Sequence, residues 1–140
     1  MANGFTKISD MTIFSKIIRG EIPSYKIAEN EKFFAFLDIN PLVEGHTLVI
    51  PKLAIDKIWD LPDDYLAEIF LFAKPIAVAI ENAFPCDRCG LSVVGIEVPH
   101  AHMHLVPLNS ADDLNFTAKK LKPTPEELKA AQQKILANLI

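Results

Sequence analysis

The chain has 140 residues, the size of one domain, and half of them are hydrophobic, enough for a core that needs no disulfide support. A net charge of −4 at pH 7 argues against nucleic acid as a partner, since a phosphate-backbone binder carries a basic patch. The first ten residues hold no apolar run of signal-peptide length. The most apolar stretch, residues 69–80, is broken by Lys74 and Pro75 and falls short of the ~20 residues of a membrane span. No membrane partner is expected, and a cytoplasmic, reducing setting is the default.

The apolar spacing predicts a short helix over 12–19, with Ile13 and Ile17, and Phe14 and Ile18, paired at i,i+4. Gly20 ends it and Pro23 enforces the stop. Three extended runs follow, 25–29, 33–38 and 46–51, divided by Asn30-Glu31 and by the Asn40-Pro41 turn. Asp63 and Asp64 open a long helix that ends near Phe84, with a kink expected at Pro75. Its polar residues fall within an arc of about 140°, and Leu71 and Val78 intrude even there. So small a polar face implies burial on two sides, against a core and against a second subunit. Strands are predicted over 90–95 and 100–106. Thr124-Pro125-Glu126-Glu127 is a capping box that starts a helix to about Leu139. This order of elements gives an α+β fold with a mainly antiparallel five-stranded sheet, a long central helix and a C-terminal helix. One domain spans 1–140, with 109–140 as a C-terminal extension.

Cys86 and Cys89 form the only cysteine pair, spaced C-x-x-C. Structural zinc needs four ligands and no second pair exists, so a surface turn with two incidental thiols, bracketed by Pro85 and Gly90, is expected.

Three of the four histidines stand in the run His100-Ala101-His102-Met103-His104. On an extended chain alternate side chains share a face, so the three imidazoles face one way while Ala101, Met103 and Leu105 face the core. A purely structural set is hard to sustain, because each buried imidazole needs its own polar partners. Two chemistries remain open. The histidines could bind a metal for hydrolysis, although His100 and His104 lie about 13 Å apart on an ideal strand, so further ligands are needed. Alternatively, a neutral imidazole could attack phosphorus while its neighbours orient it and donate protons.

The run H-A-H-M-H-L-V resembles the signature of the histidine triad (HIT) family. Residues 13–23 (IFSKIIRGEIP) resemble that family's opening segment, and 35–41 (AFLDINP) with 46–52 (HTLVIPK) resemble its central strands. The likeness covers about residues 12–108 and points to the Hint branch of purine nucleoside phosphoramidases. It implies a HIT-like fold, no cofactor, a homodimer, and a purine nucleotide or nucleotidyl conjugate as the ligand. It also implies that His102 attacks the α-phosphorus to form a nucleotidyl-histidine, and that His104 meets phosphate oxygens and the leaving group. His100 and the remote His46 would complete the hydrogen-bond network. Asp38 would accept from the ribose hydroxyls, and Ile13, Phe14, Ile17, Phe36 and Ile39 would line the purine pocket. Read from the residues alone, those five are equally well placed as plain core.

Three departures from the family pattern matter. The Gly-Gln-Ser/Thr common before the triad is replaced by Gly95-Ile96-Glu97-Val98-Pro99. Thr12 and Ser15 stand where many bacterial relatives carry zinc-binding cysteines, so no metal is expected. The chain also continues well past His104, in a tail that could cover the site or a neighbour. A metal-dependent hydrolase and a nucleotide-binding regulatory module with little turnover are the other readings of the same residues.

Overall fold

The structure is a computed structural model that describes residues 12–139. The first ten residues, read above for a signal peptide, lie outside the described residues. The elements in chain order are α1 (Ile13–Ile18), β1 (Lys26–Glu29), β2 (Phe33–Leu37), β3 (Thr47–Pro51), α2 (Asp63–Ala83), β4 (Arg88–Ser92), β5 (Met103–Leu108) and α3 (Pro125–Asn138). The five strands form one sheet in the order β1-β2-β3-β5-β4, and every pairing is antiparallel. The α+β architecture expected from the sequence is the one found.

The sheet has an apolar layer on each face, which explains why β2 is hydrophobic at every position. Phe33, Ala35 and Leu37 point into the main core with Val49, Met103, Leu105 and the buried side of α2. Phe34 and Phe36 point the other way, into a smaller cluster with Phe14 of α1, Leu48 and Ile50. Strand alternation thus sorts one continuous apolar run onto two layers. The triad strand belongs to both, because Met103 and Leu105 enter the main core while His104 pairs across from Leu48.

α2 is 21 residues long, with Asp63 and Asp64 in its first turn, where a carboxylate complements the helix dipole. The helix runs through Pro75 without interruption. Ile69, Ala73, Ile76, Ala79 and Ile80 are buried, whereas Phe70 (58 % exposed), Leu71 (71 %) and Val78 (48 %) lie open on the opposite stripe. α3 carries the expected capping box, in which the Thr124 hydroxyl accepts from the Glu127 amide and the Glu127 carboxylate accepts from the Thr124 amide. Its Leu128, Ala131 and Ile135 close the main core beside α2. Among the described residues no helix is long and apolar enough to cross a membrane.

Two strand boundaries differ from the sequence reading. The predicted strands 90–95 and 100–106 are found at Arg88–Ser92 and Met103–Leu108, paired from Arg88↔Leu108 to Ser92↔His104. The ladder stops there for a physical reason. Gly95 adopts a positive φ of 72°, and the Ala101 amide donates to the Ile55 carbonyl (2.7 Å), away from β4. His100 and His102 therefore precede the strand, and only His104 lies on it.

Candidate active site

α1, the end of β3 and the approach to β5 converge on His100. The Thr12 side chain caps α1 by accepting from the Ser15 amide (3.0 Å). The same oxygen lies 2.8 Å from His100 Nδ1, and His100 Nε2 lies 2.8 Å from the Pro51 carbonyl oxygen. A carbonyl only accepts, so Nε2 carries the proton, and Nδ1 of the neutral ring accepts from the Thr12 hydroxyl. Burial lowers the His100 pKa, although the Pro51 carbonyl opposes the shift. His100 is thus a fixed, neutral strut. Thr12, which stands with Ser15 where many bacterial relatives carry zinc-binding cysteines, instead braces His100, and Ser15 is bonded to Thr12.

The same accounting fixes the other three rings. His102 Nδ1 sits 2.7 Å from the His100 carbonyl oxygen and must donate to it, which leaves the lone pair on Nε2. The Leu42 amide donates to His46 Nδ1 (3.0 Å), so the proton of neutral His46 resides on Nε2. That Nε2 donates to His104 Nδ1 at 2.9 Å, and His104 in turn carries its proton on Nε2. Every buried side-chain nitrogen and oxygen among the described residues has a partner, and neither His102 Nε2 nor His104 Nε2 has one. Both nitrogens are therefore open to solvent, one as a lone pair and the other as a donor. The two rings meet edge to face with centroids 4.9 Å apart.

Burial keeps this network neutral. It pushes His46 down to about 3, with further lowering from His104, Lys120 and His102, and it pushes His104 down to about 4, with help from His102 and Lys120. Burial also raises the Asp38 carboxyl, partly offset by the Asn40 amide that donates to its Oδ1 (2.9 Å). The other oxygen, Oδ2, lies 3.8 Å from His46 Nε2.

These residues share a cavity of about 280 Å³ lined by Asp38, His46, Glu97, His102 and His104 together with Phe116, Thr117 and Lys120. The last three were missed from sequence. Phe116 stands edge-on to His104 with ring centroids 4.6 Å apart. They lie in a polar connection without periodicity, and the only sequence signal was that the tail is long enough to reach the site.

The five candidate purine-pocket residues divide. Phe14 and Phe36 are buried together, with ring centroids 5.5 Å apart, and Ile17 packs against their cluster. Phe14 also meets the His102 ring at 5.1 Å, so this cluster abuts the triad. Ile13 and Ile39 are half exposed, and none of the five lines the cavity over the histidines.

Asp38, His46 and His104 also bring one potential metal-ligand atom each within 4.8 Å of one another. The tautomers do not suit a metal. The His46 Nε2 that would bind it carries the proton given to His104, and Nδ1 is occupied by the Leu42 amide. The C-x-x-C pair is equally unsuited to redox chemistry, because burial pushes the Cys89 thiol up to about 12 and raises Cys86 as well.

A five-stranded antiparallel sheet with His100 and His102 on the approach to β5, His104 on it and His46 beside them defines a class, and sequence comparison identifies it. The HIT domain family model matches residues 19–111, and the chain belongs to that family. It is 42 % identical to the adenosine 5'-monophosphoramidase of Saccharomyces cerevisiae over 96 residues, which is 68 % of this chain and 61 % of that protein. The adenosine 5'-monophosphoramidase of Schizosaccharomyces pombe is 36 % identical over 130 residues, 91 % of this chain and 97 % of the relative. Among solved structures, a Hit-like protein from Bartonella henselae superposes with a TM-score of 0.80 at 32 % identity, covering 93 % of this chain and 98 % of that one.

Proposed function

We propose that the protein hydrolyses a purine nucleoside 5'-phosphoramidate, or a related nucleotidyl conjugate, through a nucleotidyl-histidine on His102. The observation that carries this reading is the 2.7 Å bond from His102 Nδ1 to the His100 carbonyl, which leaves the Nε2 lone pair open. In the first step that lone pair attacks the α-phosphorus and the phosphorus–nitrogen bond breaks. The amine leaves with the bonding pair and takes up a proton from solvent, and the water that attacks in the second step returns one. Positive charge on the His102 ring strengthens its bond to the carbonyl, so the ring is held and stabilised together. In the second step water attacks the same phosphorus, releasing the nucleoside monophosphate and the neutral imidazole.

His104 Nε2–H is the donor for a phosphoryl oxygen, with its direction set by His46 and the Leu42 amide. Asp38 keeps one oxygen for the Asn40 turn and offers the other to a ribose hydroxyl. Phe14, Ile17 and Phe36 supply the apolar surface beside His102 for the base, and the half-exposed Ile13 and Ile39 are read as its further contacts. The names of the two yeast relatives support an adenosine phosphoramidate as the probe substrate.

We also propose a homodimer. Phe70, Leu71 and Val78 form one exposed apolar stripe, and β4 is an edge strand with Leu91 40 % exposed. Residues of α3 fill the same core as α2, which supports reading the chain as one folding unit. Free Cys86 and Cys89 suit a reducing cytoplasm.

The test is release of adenosine monophosphate from adenosine 5'-phosphoramidate by the purified protein after treatment with a chelator. Release that His102→Ala abolishes supports the reading. No release, or release lost to the chelator, contradicts it.

A further inference from the structure

The cavity over the triad is completed by a segment that follows β5 and that the steps above do not use. Residues 115–121 are held by local and distant bonds. The Asn115 side chain accepts from the Thr117 amide (3.0 Å), and the Leu121 amide donates to the Pro41 carbonyl (2.9 Å), beside the turn that carries Asp38. Phe116 lies against His104, so the segment is seated on the histidines themselves.

Lys120 extends from this segment into the cavity wall. It is half-buried, and its Nζ donates to the Phe116 carbonyl at 3.3 Å, which occupies one of three hydrogens. The other charged residues lining the cavity are the carboxylates Asp38 and Glu97, while His46 and His104 are held neutral by burial. A phosphate brought to His102 would thus meet two like charges. Lys120 is the one lysine or arginine among the described residues that line the cavity.

We infer that Lys120 is the phosphate-binding cation of this active site. Its ammonium receives the non-bridging oxygens of the substrate's phosphate and offsets the repulsion from Asp38 and Glu97. The segment over His104 carries it into the cavity lining, so the part of the chain beyond the triad is a working wall of the site. This rests on the nucleotide reading above.

The experiment is calorimetric titration of wild type, Lys120→Ala, Lys120→Arg and the neighbouring Lys119→Ala with adenosine monophosphate, adenosine and orthophosphate. Lys119 is exposed and absent from the cavity lining, so it controls for the loss of one charge. Lys120→Ala should weaken adenosine monophosphate about tenfold or more, the effect expected of a lost charge-assisted contact. Adenosine binding should be unchanged, Lys120→Arg should restore most of the affinity, and Lys119→Ala should match wild type. Unchanged monophosphate binding by Lys120→Ala, or equal losses for monophosphate and adenosine, would overturn the assignment. If wild type bound orthophosphate but not the nucleotide, the nucleotide reading would fail, and loss of orthophosphate in Lys120→Ala would keep Lys120 as the anion site. Binding of neither ligand by wild type would overturn both.

Discussion

His46 Nε2 donates to His104 Nδ1 across 2.9 Å, joining residues 58 positions apart through the β3–β5 pairing. The Leu42 amide on the far side of His46 makes the direction of this bond unambiguous. A backbone N–H therefore decides, two rings away, that His104 presents a proton to the cavity.

The network is built for neutral rings, and stability should show it. His46 and His104 fall from a reference near 6.5 to about 3 and about 4 in the folded protein. Above pH 6.5 both states are neutral and the histidines add no pH dependence. Below it the unfolded chain binds protons that the folded chain refuses, so stability declines as pH falls toward 4. Each such histidine should contribute about 1.4 kcal/mol per pH unit in that window. Urea midpoints between pH 7.5 and 4.5 measure this, and His46→Gln should flatten the slope. A wild-type midpoint independent of pH would contradict the assignment.

Thr12 serves both the α1 cap and His100, so Thr12→Val should lower stability by about 1–2 kcal/mol and reduce turnover. Thr12→Ser keeps the hydroxyl and should recover both. Denaturation and phosphoramidate hydrolysis measured on the same samples decide this. Turnover that followed stability alone, without recovery in the serine variant, would remove Thr12 from the support of His100.

Much of this arrangement was legible in the sequence. The extended run at 33–38 matched β2, and the Thr124 capping box marked the start of α3, but the two layers served by Phe33, Ala35 and Leu37 and by Phe34 and Phe36 appear only in the packing. The grouping of His46 with the triad came from family likeness, because a single histidine before a strand carries no pattern of its own. The β4–β5 boundaries were not legible. They depend on where the Ala101 amide finds its acceptor, a contact with Ile55 that no local rule encodes. Phe116 and Lys120 escaped for the same reason, since only the tertiary path of an aperiodic connection carries them to His104.

Asp38→Asn retains the Oδ1 acceptor for the Asn40 turn and replaces the second oxygen with a donor. Ribonucleotide binding should weaken by roughly 1.5–3 kcal/mol for a lost hydrogen bond to a charged acceptor. The 2',3'-dideoxy analogue should bind nearly as before. Equal losses for both ligands would confine Asp38 to the turn.

Phe70→Glu with Leu71→Glu places charge in the exposed stripe of α2. Sedimentation should give twice the 15.6 kDa chain mass for wild type and the single mass for the variant. A wild-type particle of 15.6 kDa at micromolar concentration would contradict the dimer.

The central claim is that His102 is a nucleophile, and the direct measurement is peptide mass spectrometry of enzyme quenched during turnover of adenosine 5'-phosphoramidate in non-acidic denaturant. The peptide that contains His102 should carry one adenylyl group, and His102→Ala should carry none while turnover falls by several orders of magnitude. His100→Ala and His104→Ala should be milder, on the order of 10²–10⁴-fold each. An adenylyl group on another residue, or full turnover in His102→Ala, would contradict the account.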